Sequence, residues 1–478
     1  MRTLMVSLAA LAVAAPFAQA QSGAHTTTAP AADAPMTTAP APSEAPVATA
    51  PAVAPPPNLV AGNTVPAGDT LSDAMLAAVQ TNPTLAASRQ RLNATKQALP
   101  QAWSEALPQV DFSAGAGMSD TDHTQPDPPS SRTWSAGLSG SQLLFASGRI
   151  IGTTRAANAE IRGAVADYNE SLQQLLLDVT TAYADVLQTK ANVDAQQTTE
   201  ANLTTLYRYA RAQFDAGVVT RTDVAQAEAR LAQARTQLVQ AQGALAASVQ
   251  AYVRLVGHPP SGLGAPPEAE ELPADLDAAL DTAGRNSFVL MSAVAGVDEA
   301  HANVLVAASA MGPRVSLEAG RNVAGAIDQN DSDATTDSVG VRVTMPIFSG
   351  FANFSRTRQQ EALARAANYD LVAAQRSVQE SVTNSWTGLA SARAAVDSAQ
   401  EQVSAAELAY QGIRLEQQTG LRSTIDVLNQ EQDLLTARLA LAQAQHDLIV
   451  AERQMLASMG RLQVPVEAPA AHDDLHGR

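Results

Sequence analysis

The sequence predicts a mostly α-helical chain that is built twice, each half joining long coiled-coil helices to one β-hairpin. Three observations carry that prediction. Equivalent residues recur 203 positions apart: Val179 and Val382, Tyr183 and Trp386, Gly217 and Gly420, Gly257 and Gly460. Apolar residues recur every seven positions through most of both halves, the period of helices that pack side by side. Once in each half the apolar period switches from 3.6 to 2, as a strand requires.

Composition sets the compartment and removes several functions. The chain has 478 residues, 46% of them hydrophobic and 4% aromatic, a formal net charge of -17, two lysines (Lys96 and Lys190) and no cysteine. So acidic a chain lacks the basic face that nucleic acid needs. Without cysteine there can be no disulfide, thiolate nucleophile, cysteine metal site or lipid anchor on an N-terminal cysteine. Met1-Arg2, an apolar run from Leu4 to Ala15 and the small-x-small site Ala18-Gln19-Ala20 predict a signal peptide over 1–20. Residues 21–67 are Ala-, Pro-, Ser- and Thr-rich and cannot bury enough surface to order, and 463–478 form a flexible tail. No later stretch holds about 18 uninterrupted apolar residues, so no transmembrane helix is expected.

Order is expected from Leu71. The spacing of Leu71, Ala74, Met75, Ala78 and Val79 predicts a helix ending at Asn82-Pro83, followed by one helix over 83–105. The second half repeats this with Leu276, Ala279, Leu280 and Ala283 before Asn286-Ser287, then a helix to about 308. Proline is absent there, which predicts a softer kink. Strict alternation predicts hairpins over about 109–145 and 313–347 with polar, acidic loops between their strands. The cleanest strand carries Val339, Val341, Val343, Met345 and Ile347 against Gly340, Arg342 and Thr344.

Long helices follow each hairpin, over about 148–214 and 351–417, on the order of 100 Å each. Val165, Leu172, Val179, Val186 and Val193 mark the heptad in one, and Val382, Leu389, Val396, Val403 and Tyr410 in the other. The return helices carry Val224, Leu231, Leu238, Leu245 and Tyr252, and Val427, Leu434, Leu441, Leu448, Met455 and Leu462. Alanines three residues on (Ala227, Ala234 and Ala241; Ala437, Ala444 and Ala451) let helices approach closely but bury little, so several partners are needed. At the turns, Gly217 and Gly420 suit the left-handed position that closes a helix. Thr220 with Asp223, and Ser423 with Asp426, have capping-box spacing. The two repeats span 71–257 and 276–462, joined by a linker over 258–275.

Chemistry-bearing motifs are missing. No HExxH, Walker loop, dinucleotide fingerprint or GxSxG elbow occurs, and the seven histidines are scattered. Neither an enzyme, nor a cofactor, nor a metal site is expected. Four strands cannot close a barrel, whose known sizes start at about eight, and a sheet in lipid cannot leave an edge open. If the strands are transmembrane, three copies complete a 12-stranded barrel above a 12-helix tunnel. A non-conducting periplasmic or surface coiled-coil scaffold explains the heptads equally well.

From about Leu71 to Leu462 the chain resembles the TolC-like outer-membrane efflux channel family. The resemblance lies in the duplication, the Asn82-Pro83 element and the hairpin ends Leu144-Phe145-Ala146-Ser147-Gly148 and Pro346-Ile347-Phe348-Ser349-Gly350. It lies also in the Gly-x-x-x-x-x-Asp-Val turns at Gly217 to Val224 and Gly420 to Val427. It implies a homotrimer in outer-membrane lipid with a periplasmic helical tunnel, docked on a periplasmic adaptor protein and an inner-membrane efflux pump or ABC transporter. The duct would pass drugs or other small molecules outward; the same conduit in a type I protein secretion system is the alternative.

The resemblance also assigns residues. Asp426 takes the tunnel's constriction position, where three like charges would favour cations and raise each other's pKa. The family's second constriction aspartate is Asn429 here, making the ring less acidic. Arg422 and Asp223 take the positions of a gating latch, whose tyrosine is replaced by Gln417. Gly217, Thr220, Gly420 and Ser423 form the turns that meet the adaptor, and Val339, Val341, Val343, Met345 and Ile347 face the membrane.

Overall fold

The computed structural model describes residues 70–119, 131–269, 272–327 and 333–463. The expected signal peptide, Pro/Ala-rich segment, C-terminal tail and the acidic tips of both strand loops lie outside the described residues. The first helix, α1 (Leu71–Thr81), starts on a complete capping box between Thr70 and Asp73. Asn82 then breaks the helix with an extended backbone (φ -69°, ψ 120°) and caps α2 (Pro83–Thr95), its side-chain oxygen accepting from Thr84 N at 2.9 Å and Leu85 N at 3.3 Å. The single helix expected over 83–105 is instead two, α2 and α3 (Ala98–Ser104). Pro100 explains the break: it has no N–H to donate, and its ring clashes with the carbonyl of residue 96 in a continuous helix.

Next come β1 (Gln109–Ser119), β2 (Ser131–Phe145), α4 (Arg149–Asp215) and α5 (Arg221–Val256). The second half repeats the order with α6 (Leu276–Asn286), α7 (Phe288–Ser309), β3 (Arg314–Ala326), β4 (Ala334–Thr344), α8 (Ala352–Gln418) and α9 (Thr424–Ser458). The α6–α7 kink is not softer. Ser287 has almost the dihedrals of Asn82 (φ -62°, ψ 121°), so one extended residue makes the turn and proline is not needed; what Ser287 lacks is the side-chain cap. A second correction concerns α7. With 22 residues and a mean hydropathy of 1.3 it is long and apolar enough to cross a membrane by length and composition. It nonetheless carries Asp298, bonded to Arg162 of α4 at 2.6 Å, and packs on α4 and α8.

The strands form one antiparallel sheet in the order β1-β2-β3-β4. The register sorts its two faces. Val110, Phe112 and Met118 of β1, Leu138 of β2, Leu317 of β3 and Val339, Val341 and Val343 of β4 share one face, and all are exposed. Asp111, Ser113, Ser139, Asn322, Ser338 and Arg342 share the other, where Arg342 bonds Glu318 at 2.6 Å. Among the described residues, β1 and β4 each pair on one side only. Met345 and Ile347 do not belong to the strand: the ladder stops at Arg314↔Thr344 because Pro313 and Pro346 flank it, and neither can donate to a ladder.

Both 67-residue helices, α4 and α8, pack along their return helices, and α4 also packs along α9, which welds the two halves together. Three cores result. One joins α1, α4 and α5 around Leu176, Val179, Tyr183, Tyr252 and Val256. Its repeat equivalent joins α6, α8 and α9 around Ala283, Val382, Met455 and Met459. The third takes Leu203, Leu206, Ala227, Leu231, Tyr410, Val427, Leu428 and Leu434 from all four long helices near the hairpin turns. Heptad positions such as Val179 and Val382 are fully buried, whereas Val165 remains exposed on a single chain, as do Leu408 and Leu415 off the α8 seam.

Candidate functional site

The expected constriction, latch and docking residues lie at and beside the two helical-hairpin turns, whereas Val339, Val341 and Val343 lie on β4. Each incoming helix ends in a Schellman arrangement. Gly217 (φ +74°) donates to Phe214 O and Val218 to Gln213 O, both at 2.9 Å; Gly420 (φ +78°) donates to Gln417 O at 3.0 Å and Leu421 to Glu416 O at 2.9 Å. No L side chain takes those angles without strain. Each outgoing helix starts on a full capping box. Thr220 N and Oγ1 donate to Asp223 Oδ2 at 2.9 and 2.8 Å while Asp223 N donates back at 3.3 Å. Ser423 N and Oγ donate to Asp426 Oδ2 at 3.1 and 2.8 Å, with Asp426 N returning a bond at 3.4 Å. Aspartate therefore serves where glutamate is the commoner partner. Val218 and Leu421, just past the glycines, are 69% and 77% exposed, which makes each turn a rigid polar cap with one projecting apolar side chain.

Around Asp426 the electrostatics are local. The hydrogen bonds from Ser423, then the nearby Arg422 guanidinium, hold its carboxyl below the usual aspartate value in the single chain. The mutual repulsion expected to raise it belongs to an assembly of copies, not to one chain. Asn429 lies one turn on, exposed, and accepts a long 3.5 Å bond from Arg230 of α5. The ion pair expected between Arg422 and Asp223 is not formed in the chain. Arg422 Nε bonds Glu416 Oε2 at 2.9 Å, six residues back on its own hairpin, and the Asp223 carboxylate is engaged by Thr220. Gln417, expected to stand in for the tyrosine of the latch, is 7% exposed and lines a cavity of about 130 Å³ with Asn202, Leu206, Tyr209, Tyr410 and Arg414.

Two features here escaped sequence reasoning. The exposed pair Val218 and Leu421 was legible as a repeat, since both follow the turn glycine. The Glu431 carboxylate was not: it is 1% exposed and accepts from Asn202 of α4, 229 positions away, which no local pattern marks. Among the described residues no group of three His, Asp or Glu side chains is arranged to hold a metal ion.

A family model described as "Outer membrane efflux protein" matches residues 76–258 and 279–461, one match per repeat. The chain is 29% identical over 395 residues to the outer membrane efflux protein BepC of Brucella suis, covering 82% of this chain and 86% of that one. It is 26% identical over 292 residues to the alkaline protease secretion protein AprF of Pseudomonas aeruginosa, covering 59% and 61%. The fold matches the solved outer-membrane channel OprN with a TM-score of 0.70 at 22% identity, over 82% of this chain and 90% of that one.

Proposed function

We propose, from the premise that this chain belongs to the outer membrane efflux protein family and so sits in the outer membrane with its helices in the periplasm, that it is the exit duct of a tripartite efflux system. Three copies form a 12-stranded barrel continuous with a 12-helix tunnel, and small molecules or drugs pass outward from an inner-membrane pump and a periplasmic adaptor. Members of this family are channels, and the chain is read as a conduit without catalysis. The observation that carries the reading is the four-stranded sheet with one largely apolar face, one polar face and, among the described residues, two unpaired edges. In lipid such edges must be closed, and copies of the same sheet close them without any other chain.

In this reading the two hairpin turns form the periplasmic mouth. Asp426 of each copy lines the narrowest point with Asn429 behind it, and Val218 and Leu421 offer apolar anchors to the adaptor beside Gly217, Thr220, Gly420 and Ser423. A second reading, the outer-membrane channel of a type I protein secretion system, is favoured by the similarity to AprF, whose name records protease secretion. Single-channel recording of detergent-purified protein in a planar bilayer, with native mass on the same sample, tests the duct. The expected result is discrete, cation-preferring currents from a trimer, with Asp426→Ala reducing that preference. A monomer or dimer that never conducts refutes the duct and leaves the coiled-coil scaffold.

A further inference from the structure

A carboxylate taken out of water without a cation beside it is unfavourable, and proteins keep one only where its partners compensate. Glu431 is such a group. It lies on α9, one to two turns past Asp426, in the core formed by Leu203, Leu206, Val427, Leu428 and Leu434, and is 1% exposed. Asn202 of α4 donates its side-chain amide to both carboxylate oxygens, at 3.1 and 3.2 Å. Tyr410 of α8 lies against the same carboxylate. Its hydroxyl is pushed up to about 12, by burial first and then by the Glu431 charge and hydrogen bond, so at neutral pH it remains a donor. Among the described residues no cation lies within ion-pair distance of Glu431; Arg414 and Arg438 act on the neighbouring Tyr410, and Arg438 is engaged with Glu407 at 2.7 Å. The three partners thus come from both hairpins: α4 from the first, α8 and α9 from the second.

We propose that Glu431 is a gate-positioning residue whose carboxylate, held by Asn202 and Tyr410, ties the first helical hairpin to the second when the periplasmic end is closed. The inference rests on the duct reading above. Two opposed effects meet at this one group. The hydrogen bonds hold the hairpins together, while burial of the charge favours their separation, because parting exposes the carboxylate to water. Removing the donor and removing the charge therefore act in opposite directions. Asn202→Leu leaves the carboxylate buried with the Tyr410 hydroxyl as its one remaining donor, which favours opening. Glu431→Gln keeps the shape and an acceptor but removes the charge, which favours closure. The double variant Asn202→Leu/Glu431→Leu, made in a Tyr410→Phe background, replaces the carboxylate and both its donors by apolar groups and returns the balance toward the parent, since no buried polar group is then left unsatisfied.

The test is opening frequency in planar bilayers, with amide hydrogen exchange of the full-length trimer along α4 and α9 as a readout that does not require conduction. Asn202→Leu is expected to raise opening frequency and exchange near residues 202 and 431 by about tenfold or more, the factor of one hydrogen bond to a charged group. Glu431→Gln is expected to lower both, and the double variant to fall within about threefold of the parent, the ordinary scatter of a neutral substitution. A merely structural role moves both single variants the same way and gives no rescue by the double variant; either result overturns the proposal. A parent that never conducts, while the exchange pattern follows these signs, refutes the duct and upholds the tie.

Discussion

Val339→Arg separates a membrane strand from a soluble one. Val339 is the middle residue of β4, is 82% exposed, and stands in a row with Ala319, Gly140 and Val110 on the apolar face. An 11-residue strand rises about 37 Å, and tilted by about 45° it spans roughly 26 Å, close to the apolar band of an outer-membrane barrel. Val339 then falls at mid-depth, where a lipid-facing arginine costs about 2–4 kcal/mol per copy, roughly 6–12 kcal/mol over three copies. The carboxylate two residues away on the same face, Asp337, is already beside Arg321 at 3.6 Å. Ser338→Arg places the same charge one residue away on the polar face and is expected to cost under about 1 kcal/mol. Membrane fractionation followed by thermal unfolding of the extracted protein reads both. Val339→Arg should be lost from the membrane fraction or unfold far earlier, while Ser338→Arg should resemble the parent. Equal stability of the two variants would refute the assignment of this face to lipid.

Further outcomes follow from packing and charge. A Cβ at Gly460 (φ +70°) would stand 2.3 Å from the carbonyl oxygen of Asn286, so Gly460→Ala should lose about 3 kcal/mol or more, against about 1–2 for Gly420→Ala, where only the backbone angle resists. Comparable melting shifts for the two would sink that distinction. Glu452 and Arg453, 3% and 6% exposed, hold the inter-repeat linker, with Arg453 Nη2 donating to Pro267 O at 2.6 Å and Ala269 N donating to Glu452 at 3.0 Å. Arg453 also pairs with Glu452, so Glu452→Leu leaves a buried arginine without its counter-charge and should cost about 3–5 kcal/mol, with proteolysis inside 258–275 as the local readout. His446 of α9 meets Asp185 of α4 at 3.0 Å and Asp447 at 2.9 Å; Asp185 foremost raises its pKa. Its contribution is complete below the unfolded value of about 6.5 and is lost as pH rises through the raised folded value. His446→Gln should therefore lower the melting temperature at acid pH and leave it unchanged at alkaline pH; a uniform drop would contradict the ionic tie.

Local rules carried much of the fold because their partners are close in sequence. The capping boxes at Thr220–Asp223 and Ser423–Asp426 need only three residues, the Schellman turns only the glycine and the preceding helix, and the strands only their alternation. Legibility failed where a long-range partner or a single ring decided the outcome. Met345 and Ile347 keep the alternation but lose the ladder to the prolines at 313 and 346, and the helix over 83–105 divides ahead of Pro100. Ser287 turns the chain as sharply as Asn82 without the proline that signalled the first kink. Arg422 and Asp223 stood at paired positions in the resemblance, yet their nearest partners, Glu416 and Thr220, are local.

The duplication, the acidic cysteine-free composition, the heptads, the caps and the two-faced strands are all legible along the chain, since each is a pattern of side-chain chemistry at short range. Tertiary structure alone decided which helices lie together. It set α4 along α9, brought Asn202 onto Glu431 across 229 positions, and joined two hairpins into one sheet with open edges. The physical reason is that a heptad states that a helix needs partners without naming them: many registers satisfy the same apolar seam, and only the packed arrangement that also satisfies the buried polar groups selects one.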